Sequence, residues 1–166
     1  YTVPNAKKRM VDTTINQIGL DKSSSKINVF SLEHEKIFDS ATKMFFDNPI
    51  FGQGPKMFRI LCKKIEYDTG GCNTHPHNTY IQLLSETGIV GASMIVILFI
   101  IIVYIFIKQF TSLYIKKSNF DLDDSKICLL ICFFITLWPF MPTGNFFNNW
   151  INGIYYFPLG FYLAKK

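Results

Sequence analysis

The chain has 166 residues, a formal net charge of +5 and a hydrophobic content of 49 %. The apolar residues are unevenly spread, with no charge between Ile89 and Ile107, which argues against a single water-soluble core. The basic residues are scattered and form no stripe interleaved with stacking aromatics, which excludes a nucleic-acid surface.

Residues 1–30 are polar, with Lys7-Lys8-Arg9 and Ser23-Ser24-Ser25, and read as extended or loosely helical loop. From Ser31 to Asp47, Ile37, Phe38, Ala41, Met44 and Phe45 recur at the spacing of an amphipathic helix. Ser31 suits its N-cap, Glu33 and Glu35 suit the positive end of its dipole, and Asn48-Pro49 should stop it. Phe51-Gly52-Gln53-Gly54-Pro55 reads as a tight bend, because no strand signal precedes the Gly-x-Gly. A short helix is expected from Lys56 to Ile65.

His75-Pro76-His77-Asn78 places two imidazoles and a carboxamide within four residues, directly before the longest apolar run. Imidazole changes charge near neutral pH, so such a cluster beside a bilayer suits proton transfer. Pro76 favours a first helical turn, which would put His77 at the mouth of a helix. Asn78, Gln82 and Glu86 then share one face at four-residue spacing.

The run Ile89–Ile107 is 19 residues long, enough to cross a hydrocarbon core of ~30 Å at ~1.5 Å per residue. Residues 88–107 are read as a first transmembrane helix, 127–143 as a second and 150–164 as a third. Residues 108–126 form a loop with Lys108, Lys116, Lys117 and Lys126, residues 144–149 form a turn, and Lys165-Lys166 follow the third span. The positive-inside rule makes that loop and the terminal lysines cytoplasmic and turns residues 1–87 outward. The eleven Lys and Arg of that segment do not oppose this, since long segments translocate largely regardless of charge. The fold class expected is an all-α, polytopic helical membrane protein: an outward helical loop followed by three transmembrane helices. The chain starts at Tyr1 without Met or a signal-peptide pattern, and is expected to be a piece of a longer protein with earlier spans.

Four cysteines divide by side. Cys128 and Cys132 lie one helical turn apart in the second span, where Cys behaves as a small apolar residue. Cys62 and Cys72 flank nine residues of the outward segment, and in an oxidising compartment they would pair. Zinc held by Cys62, Cys72, His75 and His77 is the alternative, but the spacing matches no usual structural-zinc pattern, so no metal is expected.

The stretch His75–Gly91 resembles the signature of the O-antigen ligase and polymerase superfamily: His, then Asn, Ser or Gln, nine residues, and Gly-x-x-Gly. His77, Asn78, Thr79 to Thr87, Gly88 and Gly91 fill that pattern. Asn48 to Phe58 is similar to the Asn-Pro-x-x-Gly-x-Gly-Pro element that precedes it in the family. His34 stands where members often carry Arg. The resemblance covers residues 31 to about 107, and the last two spans only loosely.

What this resemblance implies is a multi-pass enzyme of the bacterial inner membrane with residues 1–87 periplasmic. It would move a glycan from an undecaprenyl diphosphate carrier to an acceptor hydroxyl without a cofactor. The acceptor would be lipid A core, the growing glycan, or a protein Ser or Thr. Such a transfer must deprotonate the acceptor, attack the sugar carbon and stabilise the departing diphosphate. His77, at the motif position, is the expected catalytic base. Arg59 is the expected diphosphate contact, since guanidinium forks onto phosphate, with an ordinary solvated residue as its alternative. His75 and Asn78 are expected at the substrate, or else as surface and capping side chains. Family arginines from earlier loops are missing here, so this segment is expected to be incomplete as an active site. A transporter or a glycan-binding subunit is the rival, and would place ionisable residues within the spans; the three spans hold none.

Overall fold

The computed structural model describes residues 8–12, 15, 30–115 and 122–164, which form helices and turns with no strand. Lys8–Asp12 is a single π-helical turn, and the rest of the polar N-terminal stretch up to residue 29, apart from residue 15, lies outside the described residues. So do Lys116, Lys117, Lys165 and Lys166, on which the expected orientation rests.

Helix α1, Leu32–Asp47, starts where Ser31 adopts an extended backbone and its side chain accepts from the His34 N–H. Its buried face is Ile37, Ser40, Ala41 and Met44. Ile37, Ala41 and Met44 pack with Phe58, Leu61, Cys62 and Tyr67 to form one core. Tyr67 closes the far side by donating to Asp47 Oδ2 over 2.5 Å, a bond that holds the phenol proton and raises its pKa to about 12. Helix α2, Phe58–Leu61, is only four residues long; it starts later than the expected 56–65 because Lys56 takes a left-handed backbone (φ 63°) just before it, and it ends earlier, at the Cys62 C-cap.

Helix α3, Thr79–Ile115, is broken at Gly88, where φ is 64° and ψ is −166°. In an unbroken helix the carbonyls of Ser85 and Glu86 would accept from the N–H groups of Ile89 and Val90. Here they accept instead from Gln53 N (3.0 Å) and Gly54 N (2.8 Å). The freed N–H groups of Ile89 and Val90 donate to the carbonyls of Pro49 (2.8 Å) and Ile50 (3.2 Å). The bend at 49–54 therefore replaces every hydrogen bond the break removes at these four positions. A buried backbone group left unpaired costs about 1–3 kcal/mol, so bend and break stabilise each other. Glycine is required on both sides. A Cβ on Gly52 would overlap the backbone of Glu86, Thr87 and Gly88, and one on Gly88 would overlap the Ile50 carbonyl.

Beyond Gly88, α3 runs for about 40 Å at ~1.5 Å per residue. Among the described residues it is the one helix long and apolar enough to cross a membrane, and only 11 % of its most apolar window is buried. Helix α4, Asp124–Thr136, and helix α5, Asn149–Ala164, have 13 and 16 residues. Leu130 and Phe133 of α4 and Leu137 pack on Leu83, Ala92, Ile95 and Ile102 of α3, with Tyr156, Leu159 and Tyr162 of α5 against them. Helix α4 ends short of residue 143 because Pro139 disfavours a helical Trp138 and lacks an N–H of its own. The chain then folds back over the first turns of α3, where Tyr80 Oη donates to the Leu137 carbonyl over 2.6 Å.

Gly88→Ala is expected to destabilise the folded protein by at least ~1–3 kcal/mol, the cost of a strained left-handed backbone, before the overlap with Ile50 is counted. Gly160→Ala, where an added Cβ meets nothing within 4 Å, should accumulate as the parent does. Thermal unfolding of the two variants in the same detergent checks the contrast.

Candidate functional site

Helix α3 begins at Thr79, not near Pro76. Asn78 is the reason. Its Oδ1 accepts from Tyr80 N (3.0 Å) and Ile81 N (3.1 Å), which makes it the N-cap, and a cap stands before the first helical residue. Pro76 and His77 therefore belong to the preceding loop. His77 has a left-handed backbone, φ 57°, a conformation His tolerates better than most residues but at a cost of about 1–3 kcal/mol. Its carbonyl accepts from Thr143 N over 2.9 Å, so the folded-back segment holds it in place.

The face Asn78, Gln82, Glu86 is a buried polar seam. Asn78 Nδ2 donates to the Pro139 carbonyl (2.7 Å). Gln82 Nε2 donates to Glu86 Oε2 and to Asn145 Oδ1, both at 2.9 Å, while its Oε1 accepts from Phe146 N. Glu86 Oε1 accepts from Phe58 N at 2.8 Å, at the start of α2. Thr79 adds a bond from its hydroxyl to Thr143 Oγ1. One helical face thus pins α2 on one side and residues 139–146 on the other.

These contacts bring the chain's three histidines together. The rings of His75 and His77 are 4.2 Å apart between centroids, and His34 of α1 lies 5.9 Å from His77. His34 Nδ1 is 2.7 Å from Ser31 Oγ. A cleft of about 340 Å³ opens here, lined by Phe30, Ser31, His34, Phe38, His77, Asn78, Phe140 and Pro142. Burial lowers the pKa of His77, and the neighbouring His75 and His34 lower it further, so the neutral imidazole is favoured. Burial also lowers that of His75, with the Thr143 backbone near enough to oppose the shift in part. His75 Nδ1 is 2.9 Å from Thr74 Oγ1, whereas its buried Nε2 forms no hydrogen bond of ordinary geometry.

The structure therefore joins His77, His75 and Asn78. Asn78 lines the cleft, although both ends of its amide are engaged within the protein. Arg59 is exposed on α2 and does not line the cleft. A disulfide joins Cys62 and Cys72, with Cα atoms 5.3 Å apart, and takes up both thiols of the zinc alternative. Among the described residues no group of three or more His, Cys, Asp or Glu is placed to hold a metal. His34 was not among the expected site residues. Its signal in the sequence is its place on the first turn of an amphipathic helix whose apolar face requires a partner.

Residues 20–96 match the family model described as O-antigen ligase. That segment contains α1, α2, the bend at 49–54, all three histidines and the break in α3. No curated protein and no solved structure matches the chain.

Opening the ten-residue separation between Cys62 and Cys72 removes a cross-link worth about 2–4 kcal/mol. The double variant Cys62→Ser, Cys72→Ser of the full-length protein is expected to show a lower Tm than the parent in a calorimetric scan, and addition of a reductant should lower the parent's Tm to the same value.

Proposed function

We propose, from the match of residues 20–96 to the family model described as O-antigen ligase, that the chain is the C-terminal part of a membrane glycosyltransferase. It transfers a glycan from an undecaprenyl diphosphate carrier to an acceptor hydroxyl. The observation that carries this reading is the meeting of His34 and His77 at one cleft, with the His75 ring 4.2 Å from that of His77, beside the start of the one helix among the described residues that is apolar enough to cross a membrane. In this reading α3 beyond Gly88 spans the bacterial inner membrane, α4 and α5 are short spans, and residues 1–87 face the periplasm with the turn that follows α4.

His77 is the general base. In its neutral form it accepts the proton of the acceptor hydroxyl as that oxygen bonds to the anomeric carbon of the donor sugar. The bond from that carbon to the diphosphate oxygen breaks, and its electron pair leaves with the diphosphate. The imidazolium then returns its proton to solvent. Phe30, Phe38, Phe140 and Pro142 give the cleft apolar walls. Packing supports a role for His77 beyond shape. A left-handed non-glycine backbone persists only where the surroundings hold it, and here Thr143 does so.

The lowered pKa of His77 fixes the sign of the pH dependence. The base is active when deprotonated, so transfer should be flat through pH 7 and decline on the acid side only below the ordinary imidazole value of 6.5. His77→Ala in the full-length protein should reduce transfer by ~10² to 10⁴-fold at unchanged abundance, measured with purified lipid-linked donor. His75→Ala should give a smaller loss, and a chelator none. Near-normal transfer by His77→Ala would overturn the assignment.

A further inference from the structure

We infer that Asn73, one residue beyond the disulfide, is a positioning residue that fixes which nitrogen of His77 accepts the proton. The inference rests on the role proposed for His77. Asn73 Nδ2 lies 2.9 Å from His77 Nε2, and Asn73 Oδ1 lies 2.7 Å from Thr74 N. The second contact orients the first. A backbone N–H can only donate, so the atom facing Thr74 must be the amide oxygen, and the NH₂ group is the one turned toward the imidazole. An NH₂ group can only donate in turn. Nε2 of His77 is therefore the lone-pair nitrogen, and the proton of the neutral ring sits on Nδ1.

This arrangement does two things for a base. It holds the ring plane and presents the basic nitrogen ready made, in place of an equilibrium between two tautomers. It also opposes premature protonation, since an imidazolium would turn an N–H against the amide N–H. When the acceptor hydroxyl enters, its O–H takes over the position of the Asn73 amide on Nε2. No covalent step is assigned to Asn73.

The anchoring runs through the backbone. Cys72 is bonded to Cys62 at the C-cap of α2, and the N-terminus of α2 is held by Glu86. The amide of Asn73 is thus referenced to α3, as is the His77 backbone through Thr143 and Thr79. The titratable groups facing His77 are His34 from α1 and His75 from its own loop. The folded-back segment contributes Phe140 and Pro142 to the cleft, neither of which titrates.

The test compares Asn73→Ala and Asn73→Asp with the parent full-length enzyme. Loss of the amide donor should move the acid limb of the kcat profile upward by about 0.4 to 1 pH unit, the equivalent of one hydrogen bond to the neutral form. Asn73→Asp should move it further, because a carboxylate favours the imidazolium. At neutral pH Asn73→Ala should lower kcat about tenfold through loss of ring orientation, with KM for the lipid-linked donor nearly unchanged. A readout without catalysis runs in parallel. Acylation of His77 by diethylpyrocarbonate, located by mass spectrometry across a pH series, should show its midpoint rising in the same order. An unchanged midpoint in Asn73→Asp overturns the inference even where His77→Ala is inactive. If His77→Ala is active while the midpoint shifts as expected, the contact with Asn73 stands and the role proposed for His77 fails. Should Asn73→Ala not accumulate, the nearly isosteric Asn73→Asp carries both measurements.

Discussion

Four backbone hydrogen bonds exchanged between the bend at 49–54 and the break at Gly88 govern this structure. A helix cannot lose two of its rungs in a buried place unless other groups replace them. Here the replacement comes from one short segment that both donates and accepts. The exchange needs two backbones to cross at a distance no side chain permits, which explains glycine at positions 52 and 88. Once made, it holds the C-terminal end of α1 against the middle of α3. Gln53 strengthens the junction by donating from Nε2 to the carbonyl of Met44 near the end of α1.

The rest of the site follows from that fixed point. With α1 docked, His34 reaches toward the loop before α3, where the other two histidines stand. The polar seam of α3 then sets the loop's geometry from below. Burying Gln82 and Glu86 is tolerable only because each of their polar ends is paired. Removing one partner would leave the other unsatisfied at a cost of about 1–3 kcal/mol. The seam also explains why residues 137–147 do not simply continue α4. They carry the partners of Asn78, Gln82 and Tyr80, and Thr143 among them holds the left-handed backbone of His77.

Much of this was legible in the sequence, and its limits have physical causes. The period of Ile37, Ala41 and Met44 and the Ser31 cap located α1 to within a residue, because an amphipathic helix writes its buried face into the chain. The shared face of Asn78, Gln82 and Glu86 was equally visible. Its partners were not, since a backbone N–H such as that of Phe58 or Phe146 leaves no trace in residue identity. The start of α3 was placed too early because Pro76 and Asn78 both mark helix beginnings, and the cap with two bonds to Oδ1 prevails over the proline preference. The bend at 49–54 was recognised as a bend, but its partner lay thirty-odd residues away. The resemblance supplied the spacing from His77 to Gly88 and Gly91; the crossing supplies the reason for Gly88. Gly91 has its own reason, since a Cβ there would collide with Thr87. Residues 137–143 were read into the second span on their lack of charge, although the residue that ends α4, Pro139, stood in the sequence.

Hydrogen–deuterium exchange of the full-length protein in a lipid nanodisc addresses the crossing directly. Peptides covering 48–55 and 85–91 should exchange as slowly as the interior of α1, because the amides of Gln53, Gly54, Ile89 and Val90 are all bonded across the junction. Rapid exchange at Gln53 and Gly54, at the rate of a solvent-exposed turn, would contradict the crossed arrangement and with it the geometry that brings the three histidines together.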